Sequence, residues 1–561
     1  MVSKLIKTSQ VFLNKKQNTI LSAATVLMVA SFISKILGLL RDRLLASAFF
    51  GGQEWQLDVY NAAFRIPDMI FQLLVLGALS SAFIPVFSST LKKNQKQAWQ
   101  IVSSIISIAI VFFAIFSVIF FIFTKPLNLL IAPSFSTEQI ALMSSLSRIM
   151  LFSQLFFIIS SFLTGVLQSH DRFLIPALTP ILYNLGIIIF TFFFADTFGI
   201  YAPVFGGVAG SFFHFIIQYP FVKSLGFKFS FNFKTATKPV KKIGRLMLPR
   251  TLGLAIEQLE LTIAVRLASA MIAGSLSIFY FAQHIFAIPI SVFGVTIGQA
   301  ALPMLSKECD LLGSLDKFKK IFLNSFKNIL YLAMPASVLI LVLRVPIVRI
   351  AIGARDFPWE ATLLTARTLS YLSLAIASYS VIQLFVRAFY ALEDTRTPLF
   401  VGVVAVLLNV FFSVYLTRNL SMDVSGLALA NTIAGVFQAL CLFFLLNHRV
   451  KKFDNAYYLP DVIKMTIASF LMGIALWLPM RLLDRFVLNT ARVIDLLILT
   501  TVASVSGILV YIFLSYILKV EQQNQFLKLF TRFGPDKKLL SQSQESLSEA
   551  TTASSTVTPD N

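Results

Sequence analysis

Residues 99–124, WQIVSSIISIAIVFFAIFSVIFFIFT, run without one charged side chain. A helix needs about 20 predominantly apolar residues to cross the hydrocarbon core of a bilayer, and a core helix of a soluble protein is rarely apolar for so long. The stretch reads as a membrane span, and comparable runs recur along the chain. On the amino-terminal side they lie near 21–49 and 57–89, and next to it near 140–168, 174–195 and 199–222. A second set lies near 246–273, 276–306, 321–347, 361–391, 397–417 and 424–446, followed by two more near 462–481 and 494–518. The expected fold is all-α and polytopic: about 14 transmembrane helices, in two six-helix lobes plus a terminal pair.

Composition agrees. The 561 residues are 57% hydrophobic and 13% charged, whereas soluble domains carry roughly 25% charged residues. A soluble multidomain protein is excluded. A formal charge of +21 would suggest nucleic acid in a soluble chain, but here Lys and Arg sit between apolar runs, where membrane topology accounts for them. Cys309 and Cys441 are far apart and form neither a CxxC pair nor a metal-ligand spacing, so both are expected to be packing residues, and no metal or cofactor is expected. Motifs such as GxSxG, HExxH or GxxxxGK[ST] do not occur, so the chain does not read as an enzyme. The basic first fifteen residues precede a long apolar stretch with no clear small-residue cleavage site, which predicts a retained first span.

Charge distribution sets the topology. Between the sixth and seventh spans Lys223, Lys228, Lys234, Lys238, Lys241, Lys242, Arg245 and Arg250 occur without an acid, marking a cytoplasmic loop. Lys4, Lys7, Lys15 and Lys16, the loop with Lys92, Lys93 and Lys96, and the loop with Arg449, Lys451 and Lys452 fall on the same side, with both termini. Arg344, Arg349, Arg355, Arg481, Arg485 and Arg492 are exceptions, expected at the opposite interface. The expected divisions are a basic cytoplasmic N-terminus (1–20), a first lobe (21–222), a basic linker (223–245), a second lobe (246–447), a terminal pair (448–520) and a Ser/Thr-rich cytoplasmic tail (521–561) too polar to fold.

The halves resemble each other. AFIPVFS at 82–88 returns as AALPMLS at 300–306, each after a glycine (Gly77, Gly298) and a proline (Pro67, Pro289); Asp171, Pro176 and Asn184 return in order as Asp394, Pro398 and Asn409. Six spans per lobe is an even number, so the repeats are parallel. The prolines and glycines of the second span in each lobe predict bends, serving either alternating access or static packing.

Ionised groups inside a membrane cost about 2.5–3.5 kcal/mol each even on lenient scales, so their positions carry information. Lys35, Arg41 and Asp42 lie in the first span, and Lys35 and Asp42, seven apart, share a stripe. Asp58, Arg65 and Gln72 have the same spacing in the second span. Arg250, Glu257, Glu260 and Arg266 open the second lobe, and His284 follows. Two readings stand: a hydrated cavity in which cations meet an anionic headgroup, or ion pairs that fix packing. Glu257 and Glu260 fit ion coupling or pairing with Arg250 or Arg266, and a lone histidine is more often a satisfied core residue.

At these positions the chain resembles the bacterial lipid II flippase family, MurJ (MviN), of the multidrug/oligosaccharidyl-lipid/polysaccharide exporter superfamily. The resemblance rests on SKILGLLRD (34–42), DVYNAAFRIPDM (58–69), LGALSSAFIPVFS (76–88), GVLQSHDRFLIPALTPILYN (165–184), FGVTIGQAALPMLS (293–306) and RAFYALEDTRTP (387–398), and it covers roughly residues 20–520. It implies alternating access about a cationic cavity, in a cell inner membrane protein that moves lipid II, the undecaprenyl-pyrophosphate-linked peptidoglycan precursor, from the cytoplasmic to the outer leaflet. The matching cavity positions are Lys35, Arg41, Asp42, Asp58 and Arg65, with His284 where members usually carry arginine. Lys35 stands for the family's first cavity arginine, Phe71 and Gln72 for a basic pair, and Leu76 for a glutamate. Partners expected from the resemblance are lipid II, membrane lipids and the cell-wall synthesis machinery, for a monomer that binds no nucleic acid. With no ATP-hydrolysing motif, transport draws on a gradient or on the membrane potential. The competing readings are export of another lipid-linked oligosaccharide or a small cationic drug, a non-transporting scaffold, and a membrane glycosyltransferase.

Overall fold

The computed structural model describes residues 20–76, 83–232, 238–308, 315–353, 357–489 and 492–523. The basic residues before position 20, Gly77 and Ala82 of the expected repeat, Lys234, Cys309, Arg355 and the polar tail from 524 onward lie outside the described residues. The first span is α1 (Ile20–Phe49). The second is broken into α2 (Glu54–Ala63), α3 (Arg65–Phe71), a π-helical turn (Gln72–Leu76) and α4 (Ile84–Leu91). The opening stretch becomes part of α5 (Gln95–Ile131), started by the Asn94 side chain, which accepts from the Gln97 N–H at 3.0 Å. Then come α6 (Thr137–Gln168), opened by a Ser136/Gln139 capping box, α7 (Leu174–Phe198), α8 (Tyr201–Ile216) and the short α9 (Tyr219–Ser224).

The second half repeats the order. It runs α10 (Lys238–Ala268), then α11 (Ser275–Pro289), a π-helical turn (Ile290–Val295) and α12 (Thr296–Lys307) as one bent span. α13 (Asp316–Val342) and α14 (Arg344–Ala351) follow, then α15 (Trp359–Ser373) and α16 (Ile376–Ala391), bent by 44° at their junction. α17 (Arg396–Val414) and α18 (Ser425–Arg449) close this half, and α19 (Asn455–Phe486) and α20 (Val493–Ile517) form the terminal pair.

Among the described residues ten helices are long and apolar enough to cross a membrane, or eleven if the bent α15–α16 pair counts as one span. α1, the broken second span and α10 are not in that number: the side chains of α1 before Val29 lie outside the described residues, the second span is interrupted, and α10 carries Glu257, Glu260 and Arg266 in its apolar length. α1 has 30 residues and α10 has 31, each about 45 Å at 1.5 Å per residue, enough to span.

The same pairings recur in both halves. α1 packs on α7, α7 on α8, α6 on α8, the second span on α6, and α4 on α5; correspondingly α10 packs on α17, α17 on α18, α16 on α18, the second span on α16, and α12 on α13. Both second spans carry their π-helical turn midway. The halves are thus parallel repeats, although single-residue equivalences are looser than expected. Asp171 and Glu393, rather than Asp394, share the left-handed conformation (φ 59° and 58°). Asn184 reaches across to α1 while Asn409 stays on its own helix, accepting from Ser413.

Close packing inside the first half depends on glycine. A Cβ at Gly186 would lie 2.6 Å from Gly210 Cα, and one at Gly210 would lie 2.7 Å from the Tyr183 carbonyl oxygen, so α7 and α8 meet backbone to backbone through a small-xxx-small face formed by Gly206 and Gly210. Outward, large apolar side chains such as Phe192, Phe193, Phe400 and Phe470 stand exposed in the belt that lipid tails cover. The terminal pair is fastened to the second half by a charge. Lys327 of α13 is fully buried, with Nζ 3.1 Å from Asp461 Oδ2 of α19 and 2.6 Å from Glu521 Oε2 beyond α20, and it lies 4.0 Å over the Tyr457 ring.

A candidate substrate cavity between the two halves

Where α1, α2, α3 and α7 of the first half face α10 and α11 of the second, the structure encloses a cavity of about 390 Å³. Its polar lining is Arg41, Asp42, Tyr60, Asn61, Arg65, Asp68, Tyr183, Tyr280 and His284. Four of the six residues expected to bind substrate, Arg41, Asp42, Arg65 and His284, are therefore brought together.

Helix geometry explains how they meet. Arg41 and Asp42 sit in the C-terminal half of α1, where Leu45 and Ala46 are buried and turn this face inward. Arg41 donates from Nε (3.1 Å) and Nη2 (2.9 Å) to Asp42 Oδ1, and from Nη1 to Asn184 Oδ1 at 3.2 Å. The other Asp42 oxygen lies 2.6 Å from His284 Nδ1. Asp42 therefore holds a cation of its own half and an imidazole of the other. Buried charge without such partners is costly.

Arg65 is the second fixed cation. Its Nε donates to Thr262 Oγ1 at 3.1 Å, and its Nη2 donates to the Gln258 carbonyl oxygen at 2.9 Å and also to Gln258 Oε1. Gln258 in turn donates to Gln72 Oε1 at 2.7 Å, and Gln72 to Asp68 Oδ2 at 2.6 Å. The seven-residue spacing of Arg65 and Gln72 does mark one face, and that face meets α10.

Asp58 and Lys35 lie elsewhere. Asp58 is buried beside the cavity rather than lining it, and both of its oxygens are engaged: Oδ2 accepts from the Gly274 N–H (2.7 Å), and Oδ1 accepts from the Ser277 N–H (2.8 Å) and hydroxyl (2.7 Å). It fastens the amino end of α11 to α2, where an anion is favoured by the helix dipole, and Asn61 adds a bond to Ser277 Oγ at 3.0 Å. Lys35 is exposed on α1 and makes no hydrogen bond or ion pair among the described residues, so the stripe it was expected to share with Asp42 is not a pair. The physical reason is that Phe32, Ile33, Ile36 and Leu40 stand exposed around Lys35, whereas Leu45 and Ala46 in the carboxyl half of α1 are buried.

Of the expected coupling acids, Glu260 does not line the cavity. Glu260 is half-buried on α10 within electrostatic reach of Tyr379, and the side chain of Glu257 lies outside the described residues. Arg266 donates to the Leu130 carbonyl oxygen at 2.9 Å. Phe71, in a family-basic position, packs on Phe157 at 5.8 Å. His284 is not a buried core histidine, since 43% of its side chain is exposed to the cavity. Sequence reasoning missed Tyr60, Tyr183, Tyr280, Asn184, Gln258 and Thr262. Asp68 was accessible to it, because Asp68 and Gln72 have the (i, i+4) spacing of a helical hydrogen-bonded pair.

Apart from the Arg65, Gln258 and His284 bonds in the cavity wall, a second group of hydrogen bonds between the halves lies at the end holding the 50–53 and 269–274 connections. Besides Asp58 and Asn61, Arg43 donates there to the Ile350 carbonyl oxygen at 2.6 Å, at the carboxyl end of α14.

Comparison with known proteins gives this arrangement relatives. A family model described as "Lipid II flippase MurJ" matches residues 16–497. A probable lipid II flippase MurJ of Borreliella burgdorferi is 26% identical over 81% of this chain and 88% of its own length. A solved structure of lipid II flippase MurJ in an inward closed conformation is 25% identical with a TM-score of 0.75, covering 89% of this chain and 99% of that one. An inward-facing multidrug resistance MATE transporter is 13% identical with a TM-score of 0.61, covering 76% and 98%, and shares the fold alone.

Proposed function

The chain belongs to the lipid II flippase MurJ family, and we propose from that premise how its cavity carries lipid II, the undecaprenyl-pyrophosphate-linked peptidoglycan precursor, across the inner membrane. The observation that carries the reading is a cavity at the junction of two parallel repeats with two guanidinium groups in its wall. Arg41 and Arg65 bind the pyrophosphate, since planar guanidinium donors match phosphate oxygens in pairs. Asp42 holds Arg41 in place, and His284 faces the same space. Lys35 lies nearly two turns before Arg41 on α1, further from the fastened end, and is the first cation an entering headgroup meets.

By the positive-inside rule the fastened end is outside, and both termini are cytoplasmic. The arginines that run against the rule are held at that end by other forces: Arg349 lies over Trp359 (5.4 Å), Arg481 over Trp477 (5.8 Å), and Arg344 donates to the Leu341 carbonyl oxygen. Lipid II then enters from the cytoplasmic leaflet, the Asp58 fastening opens, and the headgroup leaves outside while the prenyl tail stays in lipid. An inside-negative potential favours outward movement of an anion by about 2.3 kcal/mol per charge per 100 mV. The acids in the cavity wall are taken up by Arg41, His284 and Gln72, which disfavours a cationic drug as cargo.

Complementation of a conditional lipid II flippase depletion tests cargo and direction together. The wild-type chain restores growth, and Arg41→Ala and Arg65→Ala fail although both reach the membrane. If all three variants, Lys35→Ala included, rescue growth as well as wild type, the cavity is not the lipid II site.

A further inference from the structure

Among the described residues, the charges that line the cavity cancel. Arg41 and Arg65 contribute two positive charges, Asp42 and Asp68 two negative ones, and the remaining ionisable lining residues, Tyr60, Tyr183 and Tyr280, are neutral phenols. The described lining of a cavity for a pyrophosphate is therefore electroneutral unless His284 carries a proton. Imidazole is the side chain whose charge ordinarily changes between about pH 5 and pH 8, and His284 places one in this wall.

Its geometry separates the roles of the two ring nitrogens. Nδ1 lies 2.6 Å from Asp42 Oδ2, and Asp42 is also held by two donors from Arg41, so the carboxylate accepts and Nδ1–H donates. That hydrogen bond is present whether the ring is neutral or cationic. The proton that changes the charge is the one on Nε2. The groups facing the ring are Arg41 and Asp42 from α1, Tyr60, Asn61, Arg65 and Asp68 from the second span, Tyr183 from α7, and Tyr280 from its own helix at 6.3 Å between centroids. From α10 the lining residue among those described is Leu261, which carries no charge.

We propose that lipid II binding is proton-linked through His284: the pyrophosphate is bound together with one proton taken up on His284 Nε2, and that proton leaves when the headgroup does. This rests on the lipid II reading above. Binding linkage is reciprocal, so an anion that favours the imidazolium is itself bound more tightly by the protonated protein. The proton comes from water on the side where the headgroup enters and returns to water where it leaves, so His284 adds a proton to the cargo and reduces the net charge moved per cycle.

The test uses the full chain in detergent and a short-chain lipid II, whose pyrophosphate diester keeps both of its charges across the range. Wild type should bind about tenfold more weakly at about pH 8 than at about pH 6, within the usual span of coupling factors. His284→Arg should bind tightly at both, and His284→Gln weakly at both. A second measurement needs no variant: in weak buffer near neutrality, wild type should take up protons on lipid II addition, to at most one per lipid II bound. A His284→Gln protein that keeps the wild-type pH dependence, or binding without proton uptake, overturns the proposal while leaving the lipid II reading intact. Absence of lipid II binding by wild type and both variants at either pH overturns the lipid II reading, and the proton linkage with it.

Discussion

Replacing Asp58 with asparagine should loosen the outer fastening while leaving the cavity wall in place. Asp58 accepts three hydrogen bonds from the start of α11, two from backbone N–H groups and one from the Ser277 hydroxyl. In Asp58→Asn one oxygen becomes an NH₂ that meets a donor, Gly274 N–H or Ser277 N–H, so at least one charge-assisted bond worth about 1.5–3 kcal/mol is lost. The attraction between carboxylate and helix amino end, typically about 0.3–1 kcal/mol, goes with it. A loss of about 2–4 kcal/mol moves the balance between fastened and open arrangements by roughly 30- to 700-fold. Spin labels at positions 53 and 273, on the two connections at this end, report it through their distance distribution. The Asn variant should gain a longer component that dominates in lipid nanodiscs, while Asn61→Ala, which loses one neutral bond, should move it less. A distribution unchanged from wild type in Asp58→Asn would show that the fastening lies elsewhere and would refute this reasoning.

Lys327→Met takes the buried cation from Glu521 and leaves Asp461 only Lys464 at 4.0 Å, and should lower thermal stability by about 3 kcal/mol, whereas adding Asp461→Asn and Glu521→Gln should recover most of it; thermal unfolding in detergent measures both. Gly210→Ala forces a methyl against the Tyr183 backbone and should cost about 1–3 kcal/mol. Gly207→Ala, whose added carbon would lie 3.8 Å from the Tyr183 hydroxyl, should be neutral in the same assay. Asp394 is partly desolvated, yet the Thr397 N–H and hydroxyl and the Arg396 N–H hold its carboxyl below the ordinary 3.8. Asp394→Ala should cost about 1 kcal/mol at neutral pH. Because the folded-state value is lowered, that contribution is present above 3.8 and fades as pH falls below it, so the two proteins should converge in acid.

The spans were legible because apolarity is a one-dimensional signal: the run at 99–124 needs no neighbour to declare itself, and the observed helix extends it only at its ends. Arg41, Asp42 and Arg65 were legible because an ionised group in such a run is costly enough to require a reason. What those charges touch was not. Tyr183, Asn184 and Gln258 are neutral, lie far from α1 and α3 in sequence, and become partners only when helices from different places meet. Lys35 shows the limit of periodicity, which says which way a residue points but not whether anything stands there. Lys327 did carry a readable signal, a cation inside an apolar helix, and its acids at 461 and 521 could be assigned only from the fold.

The two π-helical turns at Gln72–Leu76 and Ile290–Val295 bear on which changes in chain length these halves can accept. A π turn holds about one residue more than an α turn, so each residue beyond it is rotated about 100° around the axis from where a regular helix would put it. Deleting a single residue from the Ile290–Val295 turn would restore regular helix and swing Thr296–Lys307 away from the neighbours it packs against. Insertions and deletions should therefore be tolerated in the connections between spans, while the midpoint of the second half's bent span keeps its length.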